Sequence, residues 1–558
     1  MRLRLFFLAL LFSCVAAYGQ PKAVKAAFPS VASVVTYKDG LLKADGTALF
    51  VGGNGDVIAS GKLFVGADSA VVIDNNGKAR PVEYIVGIDN MFDCVKVRTA
   101  RDKKIKYLVS SASEVYVGDE LYMLAYGVKK NVVVEPFKVL AVDSVYSLAY
   151  YTLDKPVHGN SLAQPLLNSN GELVAFAQPS LSGDTVGYAV SSQLASSLIS
   201  STRNYGKGYY QGMNIRTAMP NVQGEALSCL YMQAMMGDST SWSNAINDYI
   251  ASFPQSYEGY QSLAEFVAIY SRDMEKADKA WDKALSLTDN KAEVYFGKGK
   301  VINEIVQSGD TLSHAMLTFG NALELVDKAI SINNSSMYIS YKADMLYGIK
   351  NYEKAAECYE SLTATDMRSP ELFAKASQCY IVMQQYDKGV EMLDSAVACF
   401  SDDSKGVAPY LLTRGVVKSS AKRYREAVQD MNRYEELVGG MLAAEFYYMR
   451  EQAELNCKMY QQALNDIETA IDLTPGNVLY YFEKGMICYR VKFTDEGIRT
   501  MLKACELAPE LAPELADAHY LLGRLYIQQG NVPEARKSLE TADKLGHPDA
   551  RVQLDGIE

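Results

Sequence analysis

The chain has 558 residues, of which 49% are hydrophobic and 22% charged, and its formal net charge is -11. That length exceeds one ordinary core, so several domains are expected, or fewer if one is a repeat array. The acidic balance argues against general affinity for nucleic acid or for anionic membrane surfaces.

The first residues read as an export signal. Arg2 and Arg4 are basic, residues 5–17 are mostly apolar, and Ala17-Tyr18-Gly19 offers a cleavage site before Gln20. Residues 1–19 are therefore expected to be a signal peptide, which places the mature protein outside the cytoplasm, in a bacterial periplasm or secreted. Leu11-Phe12-Ser13-Cys14 faintly resembles a lipobox, but Phe12 fits it badly, so lipid attachment at Cys14 is the lesser expectation. The stretch is short for a membrane span, and no other apolar run is long enough to cross a bilayer. Nine cysteines are scattered without a CxxC pair or zinc-like spacing, and they read as small packing residues. No cofactor or metal is called for.

Up to about residue 205, short β-branched and aromatic runs alternate with turn residues. Strands are predicted over 30–37, 47–52, 69–74, 81–87, 95–99, 114–117, 121–126, 132–139, 172–177 and 185–190. Asp39-Gly40, Asn54-Gly55, Asn76-Gly77 and Asn170-Gly171 mark turns. Many short strands at this spacing predict an antiparallel barrel or sandwich over 24–203. Residues 204–223 are rich in Gly and Tyr, lack either period and read as a linker.

From 224 to 558 the pattern is helical and repeats. A small residue opens each second helix: Ala245, Ala277, Ala322, Ala355, Gly389, Ala427, Ala463, Gly497 and Ala535. The interval is about 34 residues, with a few longer gaps. Gly415, Gly485 and Gly523 share one place on their own first helices, where each costs about 1 kcal/mol in helix propensity, so close helix packing is the expected offset. This period and small/large pattern resemble the tetratricopeptide repeat (TPR), in an array of about nine hairpins with a short C-terminal cap over 548–555. The resemblance implies an all-α superhelical solenoid whose concave face holds a protein or peptide partner. Family register places Tyr347, Tyr448, Phe482, Tyr489, Arg490, Tyr520 and Arg524 on that face.

Four stretches of the β-rich part resemble trypsin-like peptidases of the HtrA type. They are the hairpin from Gly46-Thr47-Ala48 to Ala59, the run Gly87-Ile88-Asp89-Asn90-Met91-Phe92-Asp93-Cys94-Val95, the loop Gly159-Asn160-Ser161-Leu162-Ala163-Gln164-Pro165-Leu166-Leu167-Asn168, and Gly187-Tyr188-Ala189-Val190 with the helix-forming run Ser191 to Ile199. The resemblance implies a chymotrypsin-like double β-barrel. Its chemistry needs a hydroxyl, an imidazole that takes the hydroxyl proton and a carboxylate that orients the imidazole. Asp93 falls where the family's aspartate does. The histidine place falls near Lys62, and neither Lys62 nor its neighbours Gly61 and Leu63 is histidine. The nucleophile place is Ser161 or Leu162, depending on which end of the loop is aligned, and the glycines that shape the oxyanion turn are missing. A Ser161–Lys62 dyad would need a desolvated lysine. His158, just before the loop, lies in the wrong chain order for the triad. The expectation is a pseudoprotease barrel joined to a protein-binding array. The alternative is an active or conditionally active endopeptidase regulated by its TPR part.

Overall fold

The computed structural model describes residues 21–125, 133–157, 164–178, 180, 183–205, 213–236, 238–309, 314–401, 404–507 and 513–557. The chain divides into two compact units, Met1–Asp289 and Asn290–Glu558. The expected signal segment, Cys14, His158, Ser161 and Leu162 lie outside the described residues.

The first unit begins with a short helix, α1 (Lys22–Ala26), and a six-stranded barrel: β1 (Val31–Lys38), β2 (Leu41–Val51), β3 (Asp56–Ser60), β4 (Ser69–Ile73), β5 (Ala79–Asp89) and β6 (Cys94–Thr99). A second barrel follows: β7 (Glu120–Ala125), β8 (Val133–Val145), β9 (Leu148–Leu153), β10 (Pro165–Leu167), β11 (Leu173–Gln178) and β12 (Gly187–Ser191), then helix α2 (Leu194–Ser197). Both barrels are closed and antiparallel. The first runs β1-β2-β3-β6-β5-β4 and the second β10-β11-β12-β9-β8-β7, which is the same order of pairing repeated. Closure removes the exposed strand edges that would otherwise invite aggregation. This is the double barrel that the resemblance implied.

Each barrel fills its interior with its own alternating residues. Ala32, Val34, Phe50, Val57, Ile85 and Val97 pack in the first; Leu121, Phe137, Leu153, Leu166 and Ala175 pack in the second. A third cluster, including Val31, Leu49, Ile58, Cys94, Leu124, Leu167, Phe176 and Val190, joins the two barrels through their other faces. Such strands are apolar on both sides, so β11 reads Leu-Val-Ala-Phe-Ala-Gln and is buried throughout.

The turn chemistry explains most strand ends. Asp39 and Gly40 both take positive φ, 50° and 76°, as a two-residue hairpin turn requires. At Gly55 an added Cβ would stand 2.3 Å from the carbonyl oxygen of Thr99, so no side chain fits. Two sequence expectations need correction. Residues 114–117 form no strand, because the Tyr116 N–H is taken by the Asp119 carboxylate at 2.8 Å instead of a ladder partner. Strand β9, conversely, carried no turn signal: its hairpin turns on Tyr146 and Ser147, both at positive φ without Gly, Asn or Asp.

Residues 213–219 extend the first barrel. Met213 and Ile215 are buried in its core. The Ile85 N–H donates to the Arg216 carbonyl at 2.7 Å, and the Ala218 N–H donates to the Ile85 carbonyl at 2.8 Å. Four helices complete this unit: α3 (Gln223–Met236), α4 (Ser239–Ser252), α5 (Tyr257–Phe266) and α6 (Met274–Leu287). On α4 the buried carboxylate of Asp248 accepts from the Tyr84 hydroxyl of β5 at 3.1 Å and from the Tyr205 hydroxyl at 3.3 Å, and it pairs with Arg216. The first hairpin is therefore tied to the barrel by a charged knot.

The second unit continues the repeat. Its helices are α7 (Lys291–Gln307), α8 (Phe319–Ile332), α9 (Ser336–Gly348), α10 (Tyr352–Leu362), α11 (Pro370–Val382), α12 (Tyr386–Val397), α13 (Ala408–Ser420) and α14 (Tyr424–Val438). They are followed by α15 (Ala444–Asn456), α16 (Tyr460–Leu473), α17 (Val478–Val491), α18 (Thr494–Leu507), α19 (Pro513–Gln529), α20 (Val532–Lys544) and α21 (Ala550–Asp555). All nine small residues that mark the period fall on even-numbered helices from α4 to α20, and all are buried. From Ala277 to Ala535 each is the fourth residue of its helix.

The hairpin turns repeat as closely. Lys350, Gln384, Lys422, Lys458, Lys492 and Gly530 all sit at φ between 59° and 84°, two residues before the second helix. The next residue's N–H reaches back to a first-helix carbonyl, as in Asn351 to Leu346 at 2.9 Å and Arg423 to Lys418 at 2.8 Å. This is the left-handed helix ending that satisfies orphan carbonyls and reverses the chain. No helix among the described residues is long and apolar enough to cross a membrane.

Candidate functional site

The site that the protease resemblance points to begins at the β5–β6 turn. Asp93 closes this turn in the left-handed region, with φ 48°. Its carboxylate Oδ2 accepts from the Ser60 hydroxyl at 2.5 Å, and Oδ1 accepts from the Lys62 peptide N–H at 2.9 Å. The Asp93 carbonyl accepts from the Gly61 N–H at 3.1 Å. The structure thus brings Asp93 to the tight turn Gly61–Leu63, where the histidine would stand, but its acceptor oxygens are engaged by a hydroxyl and the main chain. Gly61 leaves room for this contact, since a Cβ there would sit 3.4 Å from Oδ1.

Lys62 is exposed, and its contact to Asp93 runs through the backbone. A lysine serving as a base is one buried away from water, whereas Lys62 lies at the surface. Next to Asp93, Cys94 is fully buried, and burial pushes its thiol well above the ordinary value, which suits packing and not nucleophilic attack. No sequence motif marks Ser60 and the Lys62 peptide as partners of Asp93, because only the pairing of β3 with β6 brings them together.

The second barrel carries a cleft of about 460 Å³ that no motif announced. Its lining includes the connector residues Glu114 and Tyr116 together with Tyr151, Ser191 and Gln193. Glu114 is already engaged there, accepting from the Tyr116 hydroxyl at 2.6 Å. Among the described residues, no group of His, Cys, Asp and Glu is arranged to hold a metal ion.

The array residues expected to face a partner divide into three groups. Tyr489 and Arg524 meet: the guanidinium donates to the Tyr489 hydroxyl at 2.7 Å and lies 4.5 Å from its ring centroid. Tyr520 lies 5.8 Å from the same guanidinium and stacks on His547 at 3.9 Å, so the structure brings these three together. Tyr448 packs on Tyr480 at 5.4 Å and Tyr347 on Tyr352 at 5.3 Å, each as part of inter-helix packing. Phe482 is half-buried against the α18–α19 core, while Arg490 is exposed.

A family model described as the Tetratricopeptide repeat protein 21 second ARM domain matches residues 312–547. A TPR repeat-containing protein of Methanocaldococcus jannaschii is 22% identical over 249 residues, which is 44% of this chain and 41% of that protein. The chain therefore spans about two fifths of the length of this curated relative. A TPR/ARM-type family model and a TPR-repeat relative thus cover the C-terminal helical region, which is a repeat-like helical array. Among solved structures, the chain is similar to a serine endoprotease from Yersinia pestis, with 18% identity and a TM-score of 0.29 over 32% of this chain and 64% of that one. It is also similar to the HtrA-type protease AlgW with tripeptide, at 20% identity and a TM-score of 0.28 over 31% of this chain and 60% of that one. A third is a protease from M. tuberculosis in its active form, at 17% identity and a TM-score of 0.28, covering 32% of this chain and 82% of that one. The two closed barrels, each with its six strands in the same order of pairing, show the double-barrel fold by themselves.

Proposed function

We propose that the chain is an exported protein-binding scaffold without proteolytic activity. The helical array holds a protein or peptide partner, and the double barrel serves as a second recognition module. The observation that carries this reading is at Asp93, whose carboxylate is bound by Ser60 and the Lys62 peptide in the place where a triad needs an imidazole. Residues 21–205 contain one histidine, His158, which follows Asp93 in the chain, whereas the trypsin-like order puts histidine first. Without an imidazole to remove its proton, a serine hydroxyl is a poor nucleophile at neutral pH. The TPR/ARM-type match over residues 312–547 supports protein binding, and the paired Tyr489 and Arg524 are of the types that anchor interfaces. The apolar amino-terminal run and its small-residue cleavage site support an address outside the cytoplasm.

A fluorophosphonate probe tests the noncatalytic reading. The purified full chain is expected to remain unlabelled. Labelling that Ser161→Ala abolishes would instead establish the active endopeptidase. Mass spectrometry of the mature amino terminus checks the address: a chain beginning at Gln20 is expected, and a lipid on Cys14 would contradict it.

A further inference from the structure

Three hairpins of the array place glycine at one register, twelve residues before the buried small residue of the second helix: Gly415, Gly485 and Gly523. A Cβ at these positions would stand 3.1 Å from Met431, 2.2 Å from Met501 and 2.6 Å from Leu539. In the hairpin α15–α16 the same register, twelve before Ala463, holds Glu451. Glu451 has no exposed surface. One of its oxygens accepts from the Gln452 amide at 2.7 Å, and the other has no hydrogen-bond partner. One turn on, Glu454 is 3% exposed and also has an unpartnered carboxyl oxygen.

The cation beside them is already committed. Arg450 donates to Asp466 at 2.6 and 2.8 Å, to Glu435 at 2.5 Å and to Asn432 at 2.9 Å. Glu451 faces Gln452 on its own helix, Asp466 on α16, and Glu483 and Arg490 on α17. Glu454 faces Arg450 and Glu451 on its own helix, Asp466 on α16 and Glu435 on α14. Five carboxyl groups thus surround one buried guanidinium and one exposed one, and two of the five are sealed from water with an oxygen unpaired. An ionised carboxylate in that condition is strongly disfavoured.

We propose that α15 is a proton-controlled joint in the array: with Glu451 and Glu454 protonated it packs against α14, α16 and α17, and their ionisation loosens that packing. Burial, followed by the nearby acidic groups, pushes both side chains up to about 8 from an ordinary 4.5. The folded joint therefore keeps protons that the unfolded chain releases. Its stability is greatest on the acid side, falls as pH rises from about 4.5 to about 8, and levels off above.

Hydrogen exchange on the full chain, corrected for intrinsic rates, tests this between pH 5.5 and 8.5. Protection in α15 and α17 is expected to drop at least about tenfold with rising pH, while α9 to α12 hold theirs. The double variant Glu451→Gln, Glu454→Gln, which fixes the uncharged shape, is expected to make α15 and α17 as flat as their neighbours. A flat wild-type profile, or an equal fall in α9 to α12, would overturn the joint. Should the variant misfold, carbon NMR of the two wild-type carboxyls decides independently: both ionised in the folded protein at pH 6 would also overturn it.

Discussion

Asp93 holds three links at once: the Ser60 hydroxyl, the Lys62 N–H and, through its carbonyl, the Gly61 N–H. Asp93→Ala removes the first two and leaves two donors seeking water at the barrel's rim. We expect a loss of about 1–3 kcal/mol in urea unfolding, with Asp93→Asn costing less because one acceptor survives. Asp248 is the corresponding knot beneath the first hairpin. Its removal leaves Arg216 and two tyrosine hydroxyls without their acceptor, and because Arg216 is partly exposed we expect a moderate cost of about 2–3 kcal/mol, read from thermal unfolding. Asp93 was legible in the sequence because a local run from Gly87 to Val95 frames it. Its partners were not, since they lie 33 and 31 residues away and are joined only by closure of the barrel.

At the level of elements, the array was the most legible part. Close helix packing demands a small residue at each crossing, and that demand writes itself into the sequence at regular intervals. Gly523 shows the demand at work. A Cβ there would meet the Leu539 side chain at 2.6 Å, so Gly523→Ala is expected to destabilise by about 1–3 kcal/mol even though alanine is the better helix former. The hairpin turns offer the opposite case. Lys422 sits at φ 61°, where a β-carbon is strained, and removing that carbon would relieve the strain. Lys422→Gly is expected to stabilise by about 0.5–1 kcal/mol in urea melts. Those lysines gave no turn signal, just as Tyr146 and Ser147 gave none for β9, because turn reading relies on residues that favour positive φ and fails where packing imposes it. Residues 114–117 show the converse: β-branched and aromatic residues suit a strand, but a carboxylate captures the backbone group a strand would use.

For the whole molecule, the change of period near residue 205 revealed that a β-rich part precedes a helical one, but not how the first barrel is completed. Met213 and Ile215 lie beyond that change and are still part of the barrel's interior. A chain ending at Tyr205 is therefore expected to melt at lower temperature than one ending at Val222, with a deficit of about 2–5 kcal/mol from the two missing side chains and the lost backbone bonds to Ile85. Circular dichroism melts of the two chains check this. No sequence period marks the segment, because it is neither a strand in alternation nor a helix, only an irregular stretch that makes a single parallel bridge, Thr217 to Ile85, on β5.

That same segment sets a dependency in folding. Before residues 213–218 dock, the first barrel lacks the Met213 and Ile215 side chains and the two backbone bonds to Ile85. The piece of chain that leads into the first helix is therefore also the plug of the barrel, so completing the one is coupled to positioning the other.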